Sequence, residues 1–219
     1  VSNSISTSNV KLKIPTDVWY IRDTWNSLSF GFNYNNRFSR SPTITRSDYW
    51  VWNANMNYAL NFSPDLYIKL ADIPVIGLFF SIFSDYKDVK LYFAPQNLSA
   101  TLSASRNRNS SKTRPFNNVN NQESISKDFT SSRNFSFNWR LTEGGLLNFN
   151  IGYNLNINSS LAYLLEDING RERTESDIWG DIFGGAGFGR DYRYQQTFDL
   201  RASPRLPSLW DINRYFTIT

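Results

Sequence analysis

The sequence predicts an all-β fold: about seven strands from the wall of a larger transmembrane antiparallel β-barrel, joined by long loops. In residues 147–158 every odd position holds a large apolar side chain, and every even position holds Asn or Gly. Because successive side chains of a strand point to opposite faces, this segment has one apolar and one polar face. Twelve alternating residues suit a tilted strand that crosses a bilayer, which needs about 9–11 residues. The same alternation recurs along the chain.

The composition agrees with a barrel that has a lipid-facing surface and a watery interior. Aromatic residues make up 16% of the chain, yet the mean hydropathy is −0.46. The chain has no Cys and no His, which excludes disulfides, thiolate or imidazole chemistry, and zinc sites built on those residues. No run of about 18 apolar residues predicts a transmembrane helix. An aromatic-rich soluble sandwich shares the alternation but normally has shorter strands.

The positive charge does not indicate a nucleic-acid partner. The formal net charge is only +4, and no RNP-like or Cys/His finger motif accompanies the basic clusters. One cluster contains Arg106 and Arg108, and we interpret it as loop or lumen charge. We expect no enzymatic activity, no cofactor and no metal.

The first half of the chain is predicted to hold two strands and one interruption. After a polar lead-in over 1–24, the barrel segment covers the rest of the chain, with alternating strands over 26–38 and 50–62. Prolines break the rhythm within 63–96, whose apolar run 75–83 is too short to span a bilayer as a helix. We therefore expect 63–96 to be a periplasmic insert that packs at the barrel end.

The second half is predicted to hold five further strands. Alternation indicates strands over 97–108, 129–141, 147–158 and 192–202, and a truncated strand over 213–219. The paired glycines Gly144 and Gly145 predict a tight hairpin over 142–145, because glycine accepts positive φ.

Connection lengths predict an orientation. Periplasmic turns of such barrels are short and outer loops are long. If 142–145 is periplasmic, then 109–128 and 159–189 are extracellular loops, and 63–96 departs from the length rule. Residues 161–166 are expected to form one or two helical turns. Because single-chain bacterial barrels normally have an even strand number and must close, we favour a section of a larger barrel over strand sharing between copies.

Each strand is expected to place one face toward lipid and the other toward a hydrated lumen. The predicted lipid-facing residues are Phe30, Phe32, Trp52, Tyr58, Phe137, Trp139, Phe149 and Tyr153. The predicted lumen-lining residues are Asn33, Asn35, Asn53, Asn55, Asn57, Asn148, Asn150, Asn154, Asn156, Arg193 and Arg201. An uncharged polar wall lets unrelated passengers slide without sticking.

Three stretches carry a resemblance to a known family. They are DTWNSLSFGFNYN over 23–35, FAPQNLSA over 93–100 and SFNWRL over 136–141. With the recurring alternation, they resemble the SprA/Sov family, the outer-membrane translocon of the type 9 secretion system. The resemblance implies a very large single-chain barrel in the bacterial outer membrane that conducts folded proteins. Its implied partners are the lipid bilayer with lipopolysaccharide, secreted passenger proteins, and plug and accessory outer-membrane proteins.

Other motifs and functions are less well supported. The glycine-rich stretch 184–189 lacks the Gly-Lys-Ser/Thr ending of a nucleotide-binding loop, and 167–170 lacks the distal Glu of a calcium loop. The acidic residues of 166–181 are interpreted as a solvated loop. Two alternative functions remain: a fragment of a nutrient-uptake receptor or porin-like barrel, and a soluble carbohydrate-binding β-sandwich. Detergent dependence separates the sandwich from the barrels.

Overall fold

The computed structural model describes a mostly antiparallel β-sheet protein. The described residues are 1–11, 13–18, 24–63, 65–73, 77, 86, 88–114, 122–161, 164–166, 169–184 and 188–205. The chain divides into two compact units. The first unit comprises Val1–Tyr58, Ala100–Asn134 and Asn156–Gln195, and the second comprises Ala59–Ser99, Phe135–Leu155 and Gln196–Thr219. No helix in the described residues combines the length and apolarity that crossing a membrane requires.

In the part of the chain that the structure describes, seven strands form the main sheet and three short strands form a second one. The elements are β1 (Ser2–Lys11), β2 (Leu28–Ser39), β3 (Ile44–Asn61), β4 (Tyr67–Lys69), a 3-10 helix (Leu70–Asp72), β5 (Lys90–Tyr92), β6 (Asn97–Thr113), β7 (Ser124–Arg140), β8 (Thr142–Glu143), β9 (Leu147–Ser160), α1 (Glu175–Phe183) and β10 (Arg190–Pro204). The main sheet has the order β1-β2-β3-β6-β7-β9-β10, and the small sheet has the order β4-β5-β8. Across the described residues, β1 and β10 are the edges of an open sheet.

Alternation located six of these strands, but several extend further than expected. β3 begins at Ile44 rather than at 50, β6 continues to Thr113, and β7 begins at Ser124. The predicted loop over 109–128 is therefore wrong at both ends, where β6 occupies 109–113 and β7 occupies 124–128. Alternation missed these extensions because polar residues predominate on both faces there, while the backbone hydrogen bonds between strands continue regardless of side-chain polarity.

The strand β1 corrects the prediction of a polar lead-in over 1–24. It pairs antiparallel with β2, and a β-bulge lies between Thr7 and Val10, where Asn9 has a φ of 55°. A bulge adds one residue and reverses the parity of the rest of the strand. Ile5 opposes Tyr34 and Val10 opposes Phe30, so odd and even positions of β1 reach the same face. Because β1 is also rich in Ser and Asn, that reversal removes the period-2 hydrophobic pattern from its sequence.

The helix in 159–189 lies elsewhere than expected. Among the predicted helical residues 161–166, the described residues 161 and 164–166 are not helical, and Glu166 forms an isolated antiparallel bridge with Glu172. The helix is α1, which begins after the N-cap Thr174 and is followed by the C-cap Gly184. The predicted strand over 213–219, most of the run 75–83, and much of the two motifs over 167–170 and 184–189 lie outside the described residues.

In the second unit, the insert 63–96 is partly β-structured. It contributes β4 and β5, and β5 pairs with β8 in the predicted hairpin over 142–145. Gly144 adopts a φ of 78°, and a Cβ there would lie 2.9 Å from the Asp88 carbonyl oxygen. Both facts favour glycine at this turn.

Candidate functional site: the two faces of the sheet

The β2–β3 register separates apolar from polar side chains. The separation holds from Leu28 to Tyr34 and ends where Asn35 opposes Val51 and Asn36 opposes Trp50. Within that stretch, the pairs on one face are Leu28–Tyr58, Phe30–Met56, Phe32–Ala54 and Tyr34–Trp52, and those on the other are Ser29–Asn57, Gly31–Asn55 and Asn33–Asn53. We call these the apolar face and the amide face of the first unit. Cross-strand neighbours of like polarity stabilise a sheet, so the register and the sequence pattern reinforce each other.

The amide face of the first unit is crossed by hydrogen bonds between neutral side chains. The Asn134 Nδ2 donates to Thr101 Oγ1 at 3.2 Å, and the Asn156 Nδ2 donates to Asn134 Oδ1 at 2.5 Å. Asn158 Nδ2 in turn donates to Asn156 Oδ1 at 2.9 Å. These amides therefore link β6, β7 and β9 without any charge.

The second unit carries the same kind of polar contact. Asn138 Nδ2 donates to Asn97 Oδ1 at 3.3 Å, and the Ser99 and Ser136 hydroxyls are 2.7 Å apart.

The structure distributes the predicted lumen-lining residues over four strands. Asn33, Asn35, Asn53, Asn55, Asn150, Asn154, Arg193 and Arg201 are exposed, whereas Asn57 and Asn156 are half-buried. Asn148 has a local role as well, because its Oδ1 accepts a hydrogen bond from the Gly145 backbone N–H at 3.1 Å. Whether the exposed members face a lumen stays a prediction.

The apolar face of the first unit forms a groove of about 520 Å³. The apolar side chains that line it are Val10, Phe30, Phe32, Trp52, Ala54, Met56, Leu102, Ala104, Ile182, Phe183 and Phe188. Three of the predicted lipid-facing residues thus belong to one groove, and Tyr58 is half-buried further along β3.

In the second unit, the predicted lipid-facing residues form an aromatic cluster. The Phe137 and Tyr153 ring centroids are 5.7 Å apart, and Phe135 is 6.2 Å from each of them. Trp139 donates its Nε1–H to the Tyr92 carbonyl oxygen at 3.1 Å. Phe149 is half-buried.

The helix α1 covers part of the apolar face in the first unit. Ile178 and Ile182, one turn apart, are buried against Phe129. Trp52 stacks on Trp179 with ring centroids 5.6 Å apart and an interplanar angle of 11°. At Trp52, therefore, protein covers the side chain that was predicted to face lipid.

Arg106 anchors the N-terminal end of α1. Its side chain is 1% exposed, and its Nη2 donates to Glu175 Oε2 at 2.5 Å. The guanidinium carbon lies 5.5 Å from the Trp50 ring and 5.2 Å from the Trp179 ring, within reach of cation–π attraction. Lys127 Nζ is 3.8 Å from the other Glu175 oxygen. Arg106 is thus a buried, paired cation, and its interpretation as loop or lumen charge is wrong.

A basic pocket lies beside this ion pair. It has a volume of about 520 Å³ and is lined by Trp50, Arg108, Lys127, Glu172, Arg173 and Glu175. The lining side chains carry three positive and two negative charges. Arg173 also pairs with Asp181 of α1.

A capping box fixes where α1 begins. The Asp177 N–H donates to Thr174 Oγ1 at 3.3 Å, and the Thr174 N–H donates to the Asp177 carboxylate at 3.1 Å. The Thr174 hydroxyl also donates to that carboxylate, at 2.7 Å, which lowers the pKa of Asp177 below its ordinary value. Thr174 and Asp177, followed by Ile178 and Ile182 at helical spacing, are the sequence signal that could have located α1.

In the second unit, a side-chain network holds the turn between β7 and β9. The Tyr92 hydroxyl donates to Glu143 Oε2 at 2.5 Å, and Arg140 Nη1 is 3.1 Å from the same oxygen. The hydrogen bond from Tyr92 lowers the pKa of Glu143, and burial raises the pKa of Tyr92.

The fold and its faces define the class of this protein as an antiparallel β-sheet protein with amphipathic strands. A scan against models of protein families finds no match for the chain, and a search of curated proteins finds no similar sequence.

Proposed function

We propose that this chain forms part of the wall of a large bacterial outer-membrane β-barrel that conducts proteins. The apolar face contacts lipid where α1 leaves it uncovered, and the amide face lines an aqueous lumen. The observation that carries the proposal is the β2–β3 register from Leu28 to Tyr34, in which apolar side chains oppose apolar ones and amides oppose Ser, Gly or another amide. A bilayer on one side and water on the other require that separation.

Strand length supports a membrane-spanning role. β3, β6, β7 and β9 contain 18, 17, 17 and 14 residues. A tilted strand needs about 9–11 residues to cross the hydrocarbon core. The extra residues extend the strands beyond lipid, and polar side chains such as Arg106, Arg108 and Lys127 lie on those extensions.

The edges of the sheet support a barrel larger than seven strands. Among the described strands, β1 and β10 each have a neighbour on one side only, and every residue of both is exposed. Unpaired backbone groups are not tolerated in lipid, so each edge must pair with a further strand. A barrel wide enough for proteins needs such additional strands.

The neutrality of the amide face supports a protein passenger. Asn33, Asn53 and Asn55 offer hydrogen bonds without fixed charge, so this part of the wall does not hold a passenger by opposite charge. The charged residues of the predicted lumen lining are Arg193 and Arg201 of β10. The resemblance to the SprA/Sov family favours secretion over nutrient uptake. On the same basis, we propose plug and accessory outer-membrane proteins as partners.

The proposal is tested by placing one photo-reactive residue at Asn55 or at Met56 in the native cells. These neighbours on β3 point to opposite faces and form a matched pair. The Asn55 probe is expected to cross-link secreted polypeptides, and the Met56 probe is expected to cross-link lipid.

Two outcomes contradict the proposal in different ways. Equal labelling of both positions by a membrane-impermeant reagent would exclude lipid contact on the apolar face, and a protein that needs no detergent points to the soluble sandwich. Solvent access at Asn55 without any captured polypeptide would favour the nutrient-uptake receptor or porin-like barrel.

A further inference from the structure

The groove on the apolar face of the first unit has the chemistry of an acyl-chain site. Its volume of about 520 Å³ falls within the range of ligand pockets, about 300–1,000 Å³. Apart from Thr7, Gly31 and Asn55, its lining is aliphatic or aromatic. A ligand with polar groups would leave them unpaired there, which costs free energy, whereas a hydrocarbon chain would not.

The basic pocket lies on the same face of the sheet, next to the groove. Along β3, Trp50 of the basic pocket precedes Trp52 of the groove by two residues, and along β6, Arg108 follows Ala104 by four. Four strand residues span about 13 Å. Glu175 and Phe183, at the two ends of α1, line the basic pocket and the groove, and eight helical steps span about 12 Å.

The charges of the basic pocket suit a phosphodiester. Three cations and two carboxylates line it, so the pocket carries one excess positive charge. Glu175 is held by Arg106 at 2.5 Å, whereas Arg108 has no ion-pair partner among the described residues. A phosphodiester carries one negative charge, and a guanidinium binds it through two parallel hydrogen bonds.

We propose that the groove and the basic pocket together bind one anionic phospholipid, with an acyl chain in the groove and the phosphate at Arg108 and Lys127. One leaflet is about 20 Å deep including its headgroups, so a single lipid reaches both pockets. This inference rests on the proposed function, because the apolar face must meet a bilayer for such a lipid to enter. The bound lipid would fill the groove beside α1.

The test is a lipid titration followed by native mass spectrometry. The full chain, extracted from its own membranes and delipidated in detergent, is titrated with phosphatidylglycerol and, separately, with phosphatidylcholine. One retained phosphatidylglycerol is expected, with at least about tenfold weaker retention of phosphatidylcholine, because the choline cation beside its phosphate is repelled by the excess positive charge of the pocket. Ala104→Phe fills the groove and is expected to abolish retention, while Ala100→Phe, on the same face of β6 outside the groove, is the matched control.

A second pair of variants tests the headgroup position independently of the groove. Arg108→Gln is expected to weaken retention of phosphatidylglycerol about tenfold and to reduce the preference for it over phosphatidylcholine, whereas Lys112→Gln, further along β6, changes the retention of neither lipid. Equal retention of both lipids, unchanged retention in Ala104→Phe and Arg108→Gln, or displacement by inorganic phosphate alone would overturn the inference. Insertion of each variant into liposomes is measured in parallel. A wild-type protein that inserts into liposomes but retains no phosphatidylglycerol would contradict the lipid site and leave the proposed function standing. Failure of the wild type to insert would contradict the proposed function itself.

Discussion

The two faces of the first unit differ in what holds them together. On the apolar face, Ile178 and Ile182 of α1 are buried against Phe129, and a buried ion pair fixes the helix end. On the amide face, Asn134 and Asn156 bond to each other and no helix covers them in the described residues. Apolar burial contributes about 1.5–3 kcal/mol for a large side chain, while a neutral hydrogen bond contributes about 1 kcal/mol.

This contrast teaches where sequence change is tolerated. The stabilising apolar contacts of the first unit are concentrated between α1 and the sheet. Because packing there is close, removal of even one methyl group should lower stability. The amide face adds little free energy per side chain, so its composition is free to follow function. Substitutions in α1 and on the amide face test that contrast, beginning with the largest expected effect.

Ile178→Ala is expected to release α1 from the sheet. Ile178 is fully buried, and truncation of such a residue costs about 2–5 kcal/mol. Hydrogen exchange of the α1 amides in the detergent-solubilised chain should accelerate at least about 30-fold, since about 1.4 kcal/mol corresponds to a factor of ten. Ser176→Ala, at an exposed position of the same helix, is the control. Unchanged exchange in Ile178→Ala would show that burial does not hold α1.

Glu175→Gln is expected to cost about 1–3 kcal/mol, because it leaves the Arg106 charge buried without its carboxylate. The loss falls below that of a fully buried pair, since the Glu175 side chain is 56% exposed. Arg106→Met removes the charge itself and keeps an apolar stem between Trp50 and Trp179, so it should cost less than Glu175→Gln. Hydrogen exchange of the α1 amides measures the loss of helix stability in both variants. A larger loss in Arg106→Met would show that cation–π contact outweighs the ion pair.

The sequence predicted the strands better than it predicted what covers them. Period-2 alternation located β2, β3 and β9 because apolar side chains occupy one face of each strand over many residues. It missed β1, whose bulge at Asn9 reverses parity, and the polar ends of β6 and β7. Six Asn residues placed on one face by alternation are exposed there.

The burial of Arg106 and the docking of α1 could not be predicted in the same way. Both depend on a contact between β6 and a helix 69 residues later along the chain. The local signal of Thr174 and Asp177 marks a helix start but not the surface on which the helix packs.

The capping box gives α1 a pH dependence of defined sign. The pKa of Asp177 is lowered in the folded protein, mainly by the hydrogen bond from the Thr174 hydroxyl, so its carboxylate stabilises α1 at neutral pH. That contribution is complete above the unfolded-state pKa and disappears as the pH falls through the lowered folded-state pKa. Thr174→Ala should cost about 1 kcal/mol at neutral pH.

Amide exchange of α1 between pH 7 and pH 3, corrected for the intrinsic rate, measures this dependence. The wild type should lose protection as Asp177 is protonated, and Thr174→Ala should lose less, because its carboxylate has lost the hydroxyl donor. Identical profiles in the two proteins would show that the capping box does not couple α1 to pH.

The smallest effect is expected on the amide face. Asn156→Ala removes a neutral hydrogen bond at a half-buried position and should cost about 0.5 kcal/mol. Asn134→Ala should cost a similar amount, and a double-mutant cycle should give a coupling of no more than about 0.5 kcal/mol. Denaturant unfolding of the detergent-solubilised chain measures the cycle. A coupling above about 2 kcal/mol would mean that the amides hold the strands together. The amide face would then serve stability rather than contact with the proposed passengers.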